Sequence, residues 1–284
     1  MTHPAKYLRP SDVQHALQAL KQNDLTIAAG CTDLFPATER KILPGDILDV
    51  TGVSELRGIR MSDAGLWIGA TTTWRDIVEA DLPAALAGLQ LAAREVGALQ
   101  IQNRGTIAGN LCNASPAADG VPPLLTLDAE VVLSSLRGTR QVPLRDFIVG
   151  PRRVMRDADE LLTHVFIPRA ALSGRGAFLK LGARKYLVIS IVMVAARVEV
   201  VEGAVTAAAL SVGACGPVAT RLPDLEGELI GHPPSGHVVT QEKVAAVLAP
   251  TSDIRADVAY RIHSATELLR RVLDDLGTQV DQAA

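Results

Sequence analysis

The sequence predicts an α+β protein of two domains, residues 1–173 and 174–284. Three observations carry that prediction. A chain of 284 residues is too long for one minimal domain and suits two modest ones. Up to residue 173, strand-like runs are interleaved with amphipathic helices. From Gly174 on, strand-like runs come first and helices follow, the order of an α+β unit.

The elements follow in chain order. Ser11 is placed to cap a helix whose apolar residues Val13, Ala16, Leu17 and Leu20 recur at helical spacing. A strand over Leu25–Ala29 runs straight into Gly30, and further strands are expected at Ile47–Val50 and Leu66–Ile68. Thr73 caps a second helix. A third lies between Pro83 and Gly97, with Leu86, Leu89, Ala92, Ala93 and Val96 on one face. The stretch from Gln100 to Pro123, QIQNRGTIAGNLCNASPAADGVPP, shows no sustained period and reads as a long ordered loop with a short turn of helix at most. A strand over Ala129–Ser134 restores regular structure. In the second domain Ala177–Leu181, Ile189–Val201 and Val205–Val212 read as strands, the last two joined at Glu202-Gly203. Helices are expected over Gln241–Leu248 and Asp257–Leu276, with the tail after Gly277 frayed. No internal repeat or low-complexity segment interrupts the chain.

Composition narrows the function. Apolar residues make up 48% but aromatics only 3%, so the core is filled with Ala, Val, Leu and Ile. The net charge is -3 and no run of Lys and Arg stands out, which argues against a nucleic-acid partner. Cys31, Cys112 and Cys215 are far apart and form no CxxC pair, so neither a zinc site nor an iron–sulfur cluster can be built from them. The six histidines lack metal-like spacing; five are expected at the surface, and His263, on the last helix, is assigned a structural role. MTHPAKYLRP has no signal-peptide apolar core. The longest apolar stretch, Val188–Ala196, is about half the ~20 residues a membrane span needs and contains Ser190. A soluble protein of a reducing compartment, the cytoplasm, is expected.

Two glycine-bearing segments carry the chemistry. In Ile27-Ala28-Ala29-Gly30-Cys31-Thr32-Asp33-Leu34 a strand ends in small residues. Gly30 there lets a loop approach a ligand backbone-first, with successive N–H groups able to cradle a pyrophosphate and Thr32 adding a hydroxyl. In Arg104-Gly105-Thr106-Ile107-Ala108-Gly109-Asn110-Leu111, Gly105 and Gly109 allow close approach. Thr106 and Asn110 supply hydrogen bonds, and Asp119 downstream can accept from hydroxyls or an amide. There is no GK[ST] phosphate loop and no GxGxxG fingerprint. Each segment alone is also what an ordinary turn provides. Arg152-Arg153 reads as a solvated face, whereas Arg184-Lys185-Tyr186 follows Lys180 closely enough to reach a bound ligand.

Taken together, AAGCTDL and NRGTIAGNLCNASPAAD resemble the FAD-binding medium subunits of the xanthine dehydrogenase and carbon monoxide dehydrogenase family of molybdenum hydroxylases. The approximate patterns there are AGGTDL and T-x-GGN-x-x-x-x-SP-x-x-D. The resemblance implies a two-part FAD-binding domain of the p-cresol methylhydroxylase type, followed by a smaller domain with an antiparallel sheet and helices. It implies that Ile27, Ala28, Ala29, Gly30, Cys31, Thr32, Asp33 and Leu34, with Thr106, Ile107, Ala108, Gly109 and Asn110, surround the FAD pyrophosphate. Asp119, Leu161 and Lys180 match three further FAD-contacting positions, and Lys180 puts the flavin between the domains, with Tyr186 shielding one face. Taken alone, Leu161 reads as a core leucine and Lys180 as a solvated lysine. Ala108 and Cys31 depart from the family's glycines. A cysteinyl–flavin link at Cys31 is not expected, since the family holds FAD non-covalently.

The resemblance also implies partners. FAD couples one-electron carriers to a two-electron acceptor, yet this chain supplies neither iron–sulfur ligands nor a molybdenum site. Electrons are expected from a molybdopterin large subunit through a [2Fe–2S] small subunit to FAD, and on to NAD⁺ or another acceptor, in a heterotrimer or a dimer of heterotrimers. No acid–base residue is nominated. The competing reading is an FAD-binding assembly subunit without redox turnover; a self-contained oxidase lacks a substrate-pocket constellation. The substrate and acceptor of the complex stay open.

Overall fold

A computed structural model describes residues 5–38, 43, 45–185 and 188–281. The chain starts with a small parallel sheet of β1 (Tyr7–Leu8), β2 (Leu25–Ala28) and β3 (Asp46–Asp49), in the order β1-β3-β2. Helix α1 (Val13–Gln22) links the first two strands and buries Ala16, Leu17 and Leu20. Its cap is Asp12 rather than Ser11: the Asp12 carboxylate accepts from the His15 N–H at 2.9 Å. A cap must sit directly before the first helical residue, and Ser11 lies one position too early.

The next lobe is a five-stranded antiparallel sheet. Its strands are β4 (Ile59–Met61), β5 (Gly65–Gly69), β6 (Glu130–Ser135), β7 (Gly138–Pro143) and β10 (Leu161–Pro168), in the order β4-β5-β10-β6-β7. Helix α2 (Trp74–Glu79) carries the expected Thr73 cap, completed by Asp76 into a capping box. Helix α3 (Ala87–Glu95) follows a short 3-10 turn. The stretch expected to be one long loop instead contains α4 (Leu99–Gln102), α5 (Ile107–Asn113) and α6 (Val121–Thr126). Such short helices cannot display a period. Moreover, every residue of α6 is buried, so it has no polar face to set against an apolar one. Helix α7 (Leu144–Phe147) and the hairpin of β8 (Ile148–Gly150) and β9 (Arg153–Val154) lead back to the sheet. His164, expected at the surface, is half-buried on β10, its ring 5.8 Å from that of Trp67.

Just before β10, Glu160 is only 4% exposed at its side chain. It accepts two hydrogen bonds from Arg140, at 2.6 and 2.8 Å, and one from the Asp157 N–H at 2.8 Å. The Arg140 guanidinium holds this carboxyl below its ordinary value. Its contribution to stability is therefore complete above the unfolded value of about 4.3 and is lost as pH falls through the lower folded value. Glu160→Gln is expected to flatten the fall in melting temperature below about pH 4.3, read from thermal melts of both proteins over that range.

The second domain is the antiparallel sheet β11 (Arg175–Leu181), β12 (Val192–Val201), β13 (Ala204–Gly213) and β14 (Thr220–Arg221), in that order. Strand β12 starts at Val192 rather than Ile189. Glu202 and Gly203, both at positive φ, make the tight turn into β13. Helices α8 (Pro223–Leu229), α9 (Gln241–Val247) and α10 (Val258–Asp281) complete it. Helix α10 does not fray after Gly277. That glycine admits the Pro234 carbonyl, whose oxygen lies 2.6 Å from where a Cβ would sit.

Strand β12 is buried on both faces. Val192, Val194 and Ala196 share a core with Ala265, Leu269 and Val272 of α10, while Met193 and Ala195 meet Ala92 of α3 and Phe178. The seam between domains is close because it is lined with glycine: a Cβ on Gly176 would lie 2.3 Å from the Ala85 oxygen, and one on Gly88 2.9 Å from the Ala177 oxygen. Two arginines of the second domain close the C-terminal end of α6. Arg197 Nε donates to the Thr126 carbonyl at 2.9 Å, and an Arg221 guanidinium nitrogen to that of Leu125 at 2.8 Å. Gly176→Ala is expected to cost about 1–3 kcal/mol through overpacking, measured as a lower urea midpoint at unchanged slope.

Candidate functional site

The two glycine segments meet. After β2 the chain turns over residues 29–37, and Gly30 lies directly on the main chain of Arg104-Gly105. A Cβ on Gly30 would be 2.0 Å from the Arg104 carbonyl oxygen and 2.9 Å from the Gly105 Cα. Thr32 is on the same contact, its hydroxyl 3.4 Å from the Cβ position of Gly105. Cys31 adopts φ +59°, a left-handed conformation in which glycine is favoured, and here a cysteine holds it. The turn's hydrogen bonds are donated from further along, Phe35 to the Cys31 carbonyl and Ala37 to that of Asp33. The N–H groups of Cys31, Thr32, Asp33 and Leu34 have no protein acceptor among the described residues.

The second segment is the start of α5. Thr106 caps it, accepting from the Gly109 N–H at 3.1 Å. The Ile107 and Ala108 N–H groups are used inside the lobe, on the Thr72 and Ala70 carbonyls at 3.0 and 3.2 Å. Their side chains are core as well. Gly109 is exposed, and Asn110 Oδ1 is buried with no hydrogen-bond partner. That oxygen lies above Gly120, beside the ring of Trp74, at 3.1 Å from the Gly120 Cβ position.

Asp119 and Lys180 form a buried ion pair across the two domains, 2.8 Å apart, with side chains 11% and 7% exposed. Lys180 is thus no solvated lysine. Ser190 Oγ donates to the other Asp119 oxygen at 2.7 Å. Burial pushes the Asp119 carboxyl up, opposed by the Lys180 ammonium and the two hydrogen bonds. Beside Lys180 opens a groove of about 600 Å³, lined among others by Leu91, Glu95, Phe178, Arg184 and Val188. Tyr186, expected to shield the flavin, lies outside the described residues.

The remaining expectations fall elsewhere. The Leu161 side chain is 2% exposed and packs in the core of the first sheet with Leu17, Leu48 and Leu56. Arg152 is exposed but donates to the Asn113 carbonyl at 3.0 Å, at the end of α5. His263 is exposed. Burial raises the Cys31 thiol, and pushes Cys112 up to about 11 and Cys215 up to about 12, so none is held as a reactive thiolate. Ser190 went unnoticed as a site residue. Its only sequence signal is a hydroxyl interrupting the apolar run Val188–Ala196.

Among the described residues, unused main-chain donors in a glycine turn, an unpaired buried amide oxygen and an ion pair shared by two domains are features that suit a large polar cofactor. Comparison with known proteins fixes which one. Residues 3–170 match the FAD binding domain in molybdopterin dehydrogenase, and residues 177–276 the CO dehydrogenase flavoprotein C-terminal domain. The chain is 34% identical to the nicotinate dehydrogenase FAD-subunit of Eubacterium barkeri, over 97% of each chain. It is 32% identical to the glyceraldehyde dehydrogenase medium chain of Sulfolobus acidocaldarius, over 90% of this chain and 92% of that one. Among solved structures it is similar to carbon monoxide dehydrogenase from Hydrogenophaga pseudoflava, with a TM-score of 0.86 at 27% identity over 96% of this chain and 98% of that one. The chain belongs to the FAD-binding medium subunits of the molybdenum hydroxylase family, with their two-domain fold. It is an oxidoreductase subunit and FAD is its cofactor.

The residues present fit that cofactor. Gly30 leaves no room for a side chain where the two loops meet, and among the described residues four consecutive N–H groups lack acceptors and Asn110 Oδ1 lacks a donor. No helix among the described residues is long and apolar enough to cross a membrane.

Proposed function

We propose that this subunit receives electrons from the [2Fe–2S] clusters of a small partner subunit and passes them to an external acceptor, NAD⁺ or another carrier. A molybdopterin large subunit hydroxylates the substrate of the complex. Bound FAD supplies the exchange between one-electron and two-electron chemistry. This chain's residues bind and orient it. Ile27, Ala28, Ala29, Gly30, Cys31, Thr32, Asp33 and Leu34 surround the pyrophosphate with Thr106, Ile107, Ala108, Gly109 and Asn110. Cys31–Leu34 offer main-chain donors, and Asn110 offers its side chain. Ile107 and Ala108 act as a fixed floor, since their own N–H groups are taken. Leu161 contributes through its main chain. Asp119 and Lys180 close the site from the two domains, which divide at residues 173 and 174, and the complex works in the cytoplasm.

The observation that supports this reading is the buried Asp119–Lys180 pair, which joins the two domains beside the groove. The test is co-purification with the proteins encoded beside it. The assembled complex should be yellow, and its flavin absorbance should bleach when the substrate of the complex is added without oxygen. Bound FAD that stays oxidised there supports a structural subunit without turnover. A complex that contains no FAD sinks the proposal.

A further inference from the structure

Each oxygen of the Asp119 carboxylate is held by one donor. Lys180 Nζ takes Oδ2 at 2.8 Å, and Ser190 Oγ takes Oδ1 at 2.7 Å. Ser190 is fully buried, and an ionised carboxylate only accepts, so the hydroxyl donates. Its mount is fixed from behind. An Arg255 guanidinium nitrogen donates to the Ser190 carbonyl at 3.4 Å, and Arg261 reaches the Ile191 carbonyl at 2.5 Å. Both arginines are held by Asp253, in the turn before α10.

The geometry points to Ser190 as a positioning residue of the cofactor site: by fixing Asp119 Oδ1, it sets the carboxylate that holds Lys180 at the groove. This rests on the assignment of that groove to FAD. Removing the hydroxyl leaves Oδ1 buried without a donor, so the carboxyl takes up a proton more readily and Lys180 loses its counter-charge. The other polar and charged groups around the pair come from separate elements. Glu95 at the end of α3 accepts from Lys180 Nζ through its carbonyl at 3.4 Å. Arg184 and Lys185, after β11, line the same groove, and Arg255 stands behind Ser190. None of these replaces the Ser190 hydrogen bond on Oδ1.

The test is titration of the full-length apoprotein with FAD, followed by flavin fluorescence across the pH range in which the fold is stable. Ser190→Ala is expected to weaken binding by about tenfold or more. It should also move the acid-side loss of FAD upward by about one pH unit. Ser190→Thr, which keeps the hydroxyl, should restore both. In an Asp119→Ala background Ser190→Ala should change nothing further. An equal loss in that background, or an unshifted pH profile, would show that Ser190 only packs and would overturn the inference. If Ser190→Ala fails to fold, Ser190→Cys, close in size and a weak donor, is read against the same outcomes. A wild-type chain that takes up no FAD overturns the cofactor assignment and this inference together. The wild-type titration alone distinguishes that failure from the failure of Ser190.

Discussion

Gly30→Ala is expected to yield a folded protein that has lost its FAD. The added methyl would stand 2.0 Å from the Arg104 carbonyl oxygen, 2.7 Å from its carbon and 2.9 Å from the Gly105 Cα. All three are main-chain atoms, so no side chain can swing aside and the two loops must part. Overpacking of this kind costs about 1–3 kcal/mol, and in a domain with two separate cores that is survivable. Binding suffers more, because the donors of Cys31–Leu34 lose their register with α5. Affinity should fall at least ~100-fold, roughly 2.7 kcal/mol, measured as the flavin-to-protein ratio after gel filtration and by FAD titration. Gly227→Ala, on α8 of the second domain, is the comparison: its methyl would meet nothing within 4 Å, so it should bind FAD as wild type does. Equal flavin content in Gly30→Ala and wild type would show that the loop contact does not shape the site.

Lys180→Met should carry the largest stability loss of any single exchange at the site. It leaves Asp119 as a buried carboxyl with only Ser190 for company. Breaking one partner of a buried pair costs about 3–5 kcal/mol, whereas replacing both partners by apolar groups is often neutral. The double variant Lys180→Met/Asp119→Leu should therefore recover most of the loss in urea unfolding, while neither variant restores FAD binding. The sign of the pH effect follows from burial. Without Lys180 nothing opposes the upward push on Asp119, so the single variant should be most stable at acidic pH, where the carboxyl is neutral. If the double variant is no more stable than the single one, the penalty does not come from the stranded carboxylate.

The sequence made some of this legible and hid the rest for physical reasons. Helix α1 announces itself because one face is buried and the other is wet, so a period survives in the letters, whereas β12, buried on both faces, is legible as a continuous apolar run and the Thr73 cap as a hydroxyl set just before a helix. The helices between Gln100 and Pro123 do not, being too short or buried all round. At the site, the meeting of Gly30 with Arg104-Gly105 is implied by neither segment separately; it required both to be read together. Ser190 touches Asp119 across 71 residues, a distance no local pattern spans. In Leu161 the local reading was the better guide to the side chain, which is core. In Lys180 it was the worse, since burial against Asp119 depends on the other domain.

Helix α6 is short, yet both of its ends are fastened. Asp119, just ahead of it, is tied to Lys180, and its last carbonyls are tied to Arg197 and Arg221. All three partners belong to the second domain, so α6 is fastened across the seam at both ends. Flavin exchange is therefore expected to follow the rate at which the whole seam opens rather than the flicker of a loop. FAD release into a flavin-scavenging apoprotein should accordingly show the steep temperature dependence of unfolding. Arg197→Met, remote from the cofactor, should shorten the flavin's residence time without touching a single group that contacts it.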